Sequence, residues 1–469
     1  MKRAGTTPAK PAGNAITLAY PRELRPFVER SPLPVLVRSC LEWLIDDQAL
    51  EALFCQTAQQ QYTRELTIDF MVNLMLDVIC GRHPSAGAAL TVHRDRMTTT
   101  RQAFYAKLQR MEPGVGAAIV RHVASLADTV MAQWDRARYE PVPGYEARVL
   151  DGAHLGGRTA HRLKPLRQTR SAGLTGVALA VYGLASQLVV QVVLEEDAYT
   201  QERALLKQLD IGAGQLWIAD RNFCVRSFLS RIAQAQSCFL VRWHRTACPF
   251  EELTPLREAV AGQAGIQEQA VQFTDPGTGQ QIQARRIELC LPSPTRDGDT
   301  TLVIMTNLPV QIAAAQLCEL YRQRWKIETH YQRLTEQLHC EPQGLTHPRA
   351  ALFAFAMAIV ASNALALVQA ALRQQHGREA VEELSYYYFV LFVTSVWEGM
   401  HIVVPAQRWR FVCRFSTAQL AQWLCELAQG VDMDQLRRSR RGPKQPWTKR
   451  ASGKTYHHVS IKRSLDAQS

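Results

Sequence analysis

No C-x-x-C pair and no cysteine–histidine cluster at zinc spacing occurs among the eleven cysteines of this 469-residue chain. Zinc-ribbon and dithiol redox motifs are therefore excluded, and free thiols in that number suit a reducing cytoplasm. The basic start, MKRAGTTPAKPAG, is not followed by the apolar core of a signal peptide. No internal repeat is visible, and no motif supports a serine or cysteine nucleophile. One stretch, Ala350 to Leu372, reaches the roughly 20 residues of a membrane span. Its alanine content, with Ser362, Asn363 and Gln369, marks it instead as a buried core helix, so no membrane partner is expected. Acid is scarce near the C-terminus: ten Lys and Arg and no Asp or Glu lie from Arg437 to Arg463. Without those ten, 44 basic residues stand against 42 acidic ones, so most of the net charge of +12 sits in the tail. A basic tail on a neutral body predicts a polyanionic partner, because each neutralised phosphate releases counterions.

What is present is a globular composition, 47% hydrophobic and 20% charged, in a chain long enough for several domains. Residues 1–140 read as a helical N-terminal DNA-binding region: Leu41–Cys55, Leu66–Ile79 and Thr98–Met111 carry apolar residues three and four apart. Pro141 and Pro143 break that pattern. Short runs rich in Val, Ile and Leu come next, RVLDG, VALAVY and QLVVQVV, then a helix at Gln201–Leu209 and a run QLWIAD. A helix from about Val225 to Ala235 and the run CFLVRW complete the pattern of a mixed α/β sheet covered on both faces. By analogy with a known fold, three strands, a helix and a fourth strand ending in Asp is the order of a ribonuclease H-like core. Its first part is assigned to 147–244 and its second part to 310–375, separated by a β-rich insertion at 245–309 that contains TDPGTGQQ. One helix is expected from Ala313 to Cys340. A C-terminal helical region spans 376–435, and the basic tail 436–469.

Three acids stand out: Asp151 and Asp220, each ending an apolar run, and Glu328 on the helix after the insertion. Cutting a phosphodiester without a covalent enzyme intermediate needs an activated oxygen nucleophile and a stabilised leaving oxygen. Two divalent cations about 4 Å apart supply both, and carboxylates suit hard Mg²⁺. Tyr321 and Arg324 precede Glu328 by seven and four residues, so one helix face carries a ring, a cation and an acid. A basic segment comes after Asp151 (His154, Arg158, His161, Arg162, Lys164, Arg167 and Arg170), placed to meet DNA or to form a solvated hairpin. Trp325 and Trp243 suit either base stacking or core packing.

The helix YRQRWKIE resembles the Tyr-x2-Arg-x3-Glu-x6-Lys signature of DDE transposases of insertion-sequence family four, the group related to the Tn-five transposase. The resemblance extends to VLDGAHL, LWIADRNF, the β insertion and RRGPKQP. It implies a bacterial, nucleoid-associated transposase. Asp151, Asp220 and Glu328 would be the catalytic and metal-binding residues, holding two Mg²⁺ ions that Mn²⁺ can replace. Tyr321 and Arg324 would hold transposon-end DNA, the planar guanidinium gripping phosphate. The partners implied are transposon-end double-stranded DNA and target DNA, held by a homodimer in a synaptic complex. One position departs: Thr335 stands where the signature has lysine, bringing a hydroxyl but no charge to the same face. Two further readings stay open, a catalytically impaired DNA-binding descendant and a ribonuclease H-like nuclease without strand transfer.

Overall fold

Side-chain caps set where three of the N-terminal helices begin. This computed structural model describes residues 17–61, 65–94, 99–136, 140–156, 173–259, 265–294, 298–342, 344–438 and 442. Before the first strand come α1 (Arg25–Arg30), α2 (Pro32–Leu44), α3 (Asp47–Thr57), α4 (Ile68–Ile79), α5 (Ala86–Val92), α6 (Arg101–Leu108) and α7 (Pro113–Met131). The stretch Leu41–Cys55, read as one helix from its spacing, is two. The Asp46 carboxylate accepts from the amides of Gln48 and Ala49 and starts α3 afresh. Thr100 caps α6, its hydroxyl accepting from Ala103 N at 3.2 Å.

The next segment holds β1 (Glu146–Gly156), β2 (Leu174–Gly183), β3 (Val189–Glu195), α8 (Glu202–Leu205), β4 (Gln215–Ala219), α9 (Arg226–Gln234) and β5 (Cys238–Arg242). The strands lie in the order β3-β2-β1-β4-β5. β1–β2 and β2–β3 are antiparallel, while β1–β4 and β4–β5 are parallel. Alternation along each strand sorts the side chains between two cores. Ala147, Val149, Ala178, Ala180, Leu216 and Ile218 face one core, and Leu150, Val177, Leu179, Trp217 and Ala219 face the other. Both faces are therefore covered, which explains why these strands read as continuous apolar runs.

Residues 245–309 do not build a separate sheet. They carry β6 (Glu251–Glu252), β7 (Arg257–Glu258), β8 (Ile266–Thr274), β9 (Gln281–Cys290) and β10 (Thr301–Thr306). β10 pairs antiparallel with β5, so the sheet grows to ten strands. Arg285 ties this extension to the loop after β10: it is paired with Glu268 and donates to the carbonyls of Pro309 and Ile312 at 2.7 and 2.9 Å.

The expected helix from Ala313 to Cys340 is divided into α10 (Ala314–Arg322) and α11 (Trp325–Glu336). At the junction Arg324 N and Ile327 N bond to carbonyls three residues back, at 3.1 Å each, a tightened turn. Next comes α12 (Pro348–His376), begun by proline and ended at Gly377, whose φ of 84° favours glycine. It is the one helix among the described residues long and apolar enough by itself to cross a membrane, yet 94% of its most apolar window is buried inside the protein. Gly116 of α7 lets the two helices approach closely, since a Cβ there would lie 3.0 Å from that of Ala356. Asn363 bonds both backbone groups of Val189, at 2.9 and 3.0 Å, and so covers part of the edge strand β3. The chain continues through α13 (Arg378–Glu382), α14 (Tyr386–Val403), α15 (Ala406–Trp409) and α16 (Thr417–Gln429). Trp423 of α16 donates to Ser39 of α2 at 2.9 Å, joining the C-terminal helices to the N-terminal ones. The result is a mixed α/β architecture with one central sheet and helices around it.

Candidate active site

The parallel register of β1 and β4 brings the first two acids together. Leu150 and Ala219 are the last partners of that ladder, so Asp151 and Asp220 come next on adjacent strands. By alternation both share the face of Val149 and Ile218, the side against which α11 and α12 pack. Asp151 does not terminate its strand as its apolar run suggested. β1 continues to Gly156 because it stays paired with β2, and only its pairing with β4 stops before Asp151.

Glu328 reaches this edge from α11. That helix is pinned by Tyr331, whose half-buried side chain donates its phenol to the Asp151 carbonyl at 3.0 Å. Arg324 is the cation between the acids. It donates to Glu328 Oε1 at 2.8 Å and lies 3.8 Å from Asp151 Oδ2, with 12% of its side chain exposed. Asp220 caps a short turn, its carboxylate accepting from Arg221 N at 2.7 Å, and also acts on Arg324 electrostatically.

A fourth acid that sequence reasoning missed acts on Asp151 from the other face of β1. Glu202, at the start of α8, accepts from Asn222 Nδ2 at 2.7 Å and lies 3.9 Å from His154. It packs over Gly152, where a Cβ would run into its carboxylate. The signal in the sequence was the glycine directly after Asp151, which leaves room for Glu202. Arg203 fixes the partner loop by donating to the Asn222 carbonyl and its side-chain oxygen, at 2.6 and 3.0 Å.

Charge is crowded here. Burial pushes the Asp151 carboxyl up to about 6, with Glu328 and Glu202 adding to the rise, while Arg324 and the Gly152 amide oppose it. Burial alone would lower Arg324, but Tyr321, Asp220, Asp151 and Glu328 together raise it above the usual guanidinium range. The donors are carboxylate oxygens facing one edge, with one guanidinium standing among them as a cation.

The flanking residues divide. Tyr321 is buried beneath Arg324, its phenol pushed up by burial and by Asp220. Thr335 is exposed, but its hydroxyl donates to Tyr331 O at 3.1 Å within its own helix. His339 lies beyond the end of α11, with φ of 39°, and packs against Gly81, so it does not continue the Glu328 face. Trp325 is 64% exposed beside Arg324, whereas Trp243 is half-buried and donates to the Cys248 carbonyl. Arg221, Arg242, His244 and Arg245 line a cleft that begins next to Asp220. Of the basic segment after Asp151, only His154 lies within the described residues; Arg158, His161, Arg162, Lys164, Arg167 and Arg170 lie outside them, as does all of the tail beyond Arg438 but Gly442.

Residues 143–364 match the family model described as transposase DDE domain. The matched span contains β1, β4 and α11, the three elements that carry Asp151, Asp220 and Glu328. The match covers 222 of the 469 residues, and transposase DDE domains generally work with divalent metal ions. No curated protein matches the chain. Among solved structures, the chain is similar to one titled as a piggyBac transposase synaptic complex with hairpin DNA, at 10% identity and a TM-score of 0.40, covering 83% of each chain.

Proposed function

We propose that this protein is a transposase that binds the inverted-repeat ends of its own element and cuts and joins DNA at the Asp151–Asp220–Glu328 edge. The observation carrying this reading is the convergence of those acids, far apart in sequence, on one face at the point where β1 and β4 part. The strand order 3-2-1-4-5, with its antiparallel and parallel pairs, supports a ribonuclease H-like core. The resemblance of YRQRWKIE supports membership of insertion-sequence family four.

An all-oxygen carboxylate set fits a hard divalent cation such as Mg²⁺, with Mn²⁺ as substitute. When bound, such ions activate water or a 3′-hydroxyl and stabilise the leaving oxygen. Asp151, Asp220 and Glu328 would hold them, and Glu202, on the other face of β1, adds negative charge felt at Asp151. The chain's own residues do the rest. Tyr331 holds α11 at a fixed distance from β1. Asn222 orients Glu202. Arg324, now paired with Glu328 and Asp151, is the group that passes to the scissile phosphate once those carboxylates have other partners, and its fork suits two phosphate oxygens. Two ends must be held together, so a homodimer in the synaptic complex is part of the proposal.

A second reading rests on Thr335. With its hydroxyl engaged by Tyr331 O, the strand loses a charged contact, as expected of a DNA-binding descendant that no longer cuts. A supercoiled plasmid carrying the element between its ends separates the readings. Purified full-length protein with Mg²⁺ or Mn²⁺ should release the element and give joined products. Binding without cutting supports the descendant, and cutting without joining supports a nuclease.

A further inference from the structure

The sequence offers no cysteine-based zinc spacing, but the fold assembles another ligand set far along the chain from the acid cluster. Helix α4 ends in a tight reversal. Gly81, with φ of 75°, donates to Val78 O at 3.1 Å, and Arg82 N donates to Asp77 O at 2.9 Å. This turn carries His83 back beside Asp77, and the end of α5 delivers His93 to the same point. One donor atom from each of Asp77, His83 and His93 lies within 4.8 Å of the others. His93 Nε2 is 2.9 Å from Asp77 Oδ2. His83 is half-buried, and its Nε2 is out of solvent with no hydrogen-bond partner, a polar atom left unsatisfied.

We propose that Asp77, His83 and His93 form a zinc site. Two imidazoles and one carboxylate are a common set for this ion, which takes such donors at about 2.0–2.2 Å in a tetrahedron. Donors in that geometry lie about 3.3 Å apart, so shifts of about an ångström within the present cluster are enough. The ion would replace the proton that His93 shares with Asp77 and give His83 Nε2 the partner it lacks. Arg82 donates to the other Asp77 oxygen at 2.7 Å and to Glu398 of α14 at 2.9 Å. The guanidinium thus orients the carboxylate from outside the ligand shell, while Glu398 offsets its charge. The remaining position opens towards a polar cavity of about 840 Å³ that Asp77 and His93 line together with Asn73, Arg38 and His401. Zinc here would brace the α4–α5 corner against α14, linking the N-terminal helices to the C-terminal region.

The test uses full-length protein in which Asp151→Asn and Glu328→Gln disarm the acid cluster, stripped with chelator and titrated with Co²⁺ and then Zn²⁺. The same protein with His83→Gln or His93→Gln is compared. The tail histidines are present in all three, so the difference reads this site alone. The parent should show the visible absorption of four-coordinate cobalt, lose it when zinc is added, and retain one zinc more per chain than either variant. Zinc should raise the parent's thermal midpoint and leave the variants' unchanged, since an ion that binds only the folded chain stabilises it. Circular dichroism of the metal-free forms checks that all three are folded. A parent that retains no zinc, or folded variants with the same zinc content and cobalt spectrum as the parent, would overturn the proposal.

Discussion

At Asp151, burial and like charge act together against ionisation. Its carboxyl is raised from 3.8 to about 6, so without metal the folded state favours the protonated form. Its contribution to stability is whole below about pH 4 and is lost as the pH rises through about 6, a cost on the order of 2–3 kcal/mol at neutral pH. Asp151→Asn should therefore stabilise metal-free protein by roughly 2 kcal/mol near pH 7.5 and by almost nothing near pH 3.5, as read by urea denaturation in chelator. Equal destabilisation at both pH values would remove the crowded-charge account. Thr335→Lys tests the other end of the face. It should leave folding intact and steepen the salt dependence of end binding by about one phosphate; an unchanged slope would deny Thr335 a place near the strand. The acids themselves were legible, because each ends an apolar run or sits in a recognisable helix. Glu202 was not, since its role comes from the missing side chain at Gly152 and from Asn222, contacts that no spacing rule connects.

Elements hold these residues in register. Replacing Tyr331 with Phe deletes the bond from α11 to the Asp151 carbonyl. The expected loss is about 1 kcal/mol in stability and a larger drop in cutting than in end binding, measured by plasmid cleavage and by gel shift. A fall in binding equal to the fall in cutting would mean that the phenol does not position the acids. Strand positions were readable because both faces of the sheet are buried and the runs are apolar throughout. The division of the 313–340 helix was less so. A tightened turn at Gln323–Arg324 leaves the apolar spacing almost untouched, and so does a cap such as Asp46 within the stretch 41–55. The run 245–309 was legible as strands, but its membership of the same sheet depends on the pairing of β10 with β5, which sequence periodicity does not encode.

Across the whole molecule, α12 is the centre around which the sheet and both helical regions close. Asn363 is the polar residue that this apolar helix spends on the sheet edge. Asn363→Leu leaves both backbone groups of Val189 unpaired and should cost roughly 2–4 kcal/mol in chemical denaturation, whereas a loss well below 1 kcal/mol would mean that water replaces the amide. Residue by residue, the alanines of α12 read correctly as core, because a lipid-facing helix would not carry Asn363 where a strand edge needs it. The central claim, that three distant acids act as one DNA-cutting site, is tested most directly by assaying Asp151→Asn, Asp220→Asn and Glu328→Gln for plasmid cutting and for end binding side by side. Each should bind the element's ends like the unaltered protein and give no cut product with Mg²⁺ or Mn²⁺; full cutting by any one of the three would contradict the account.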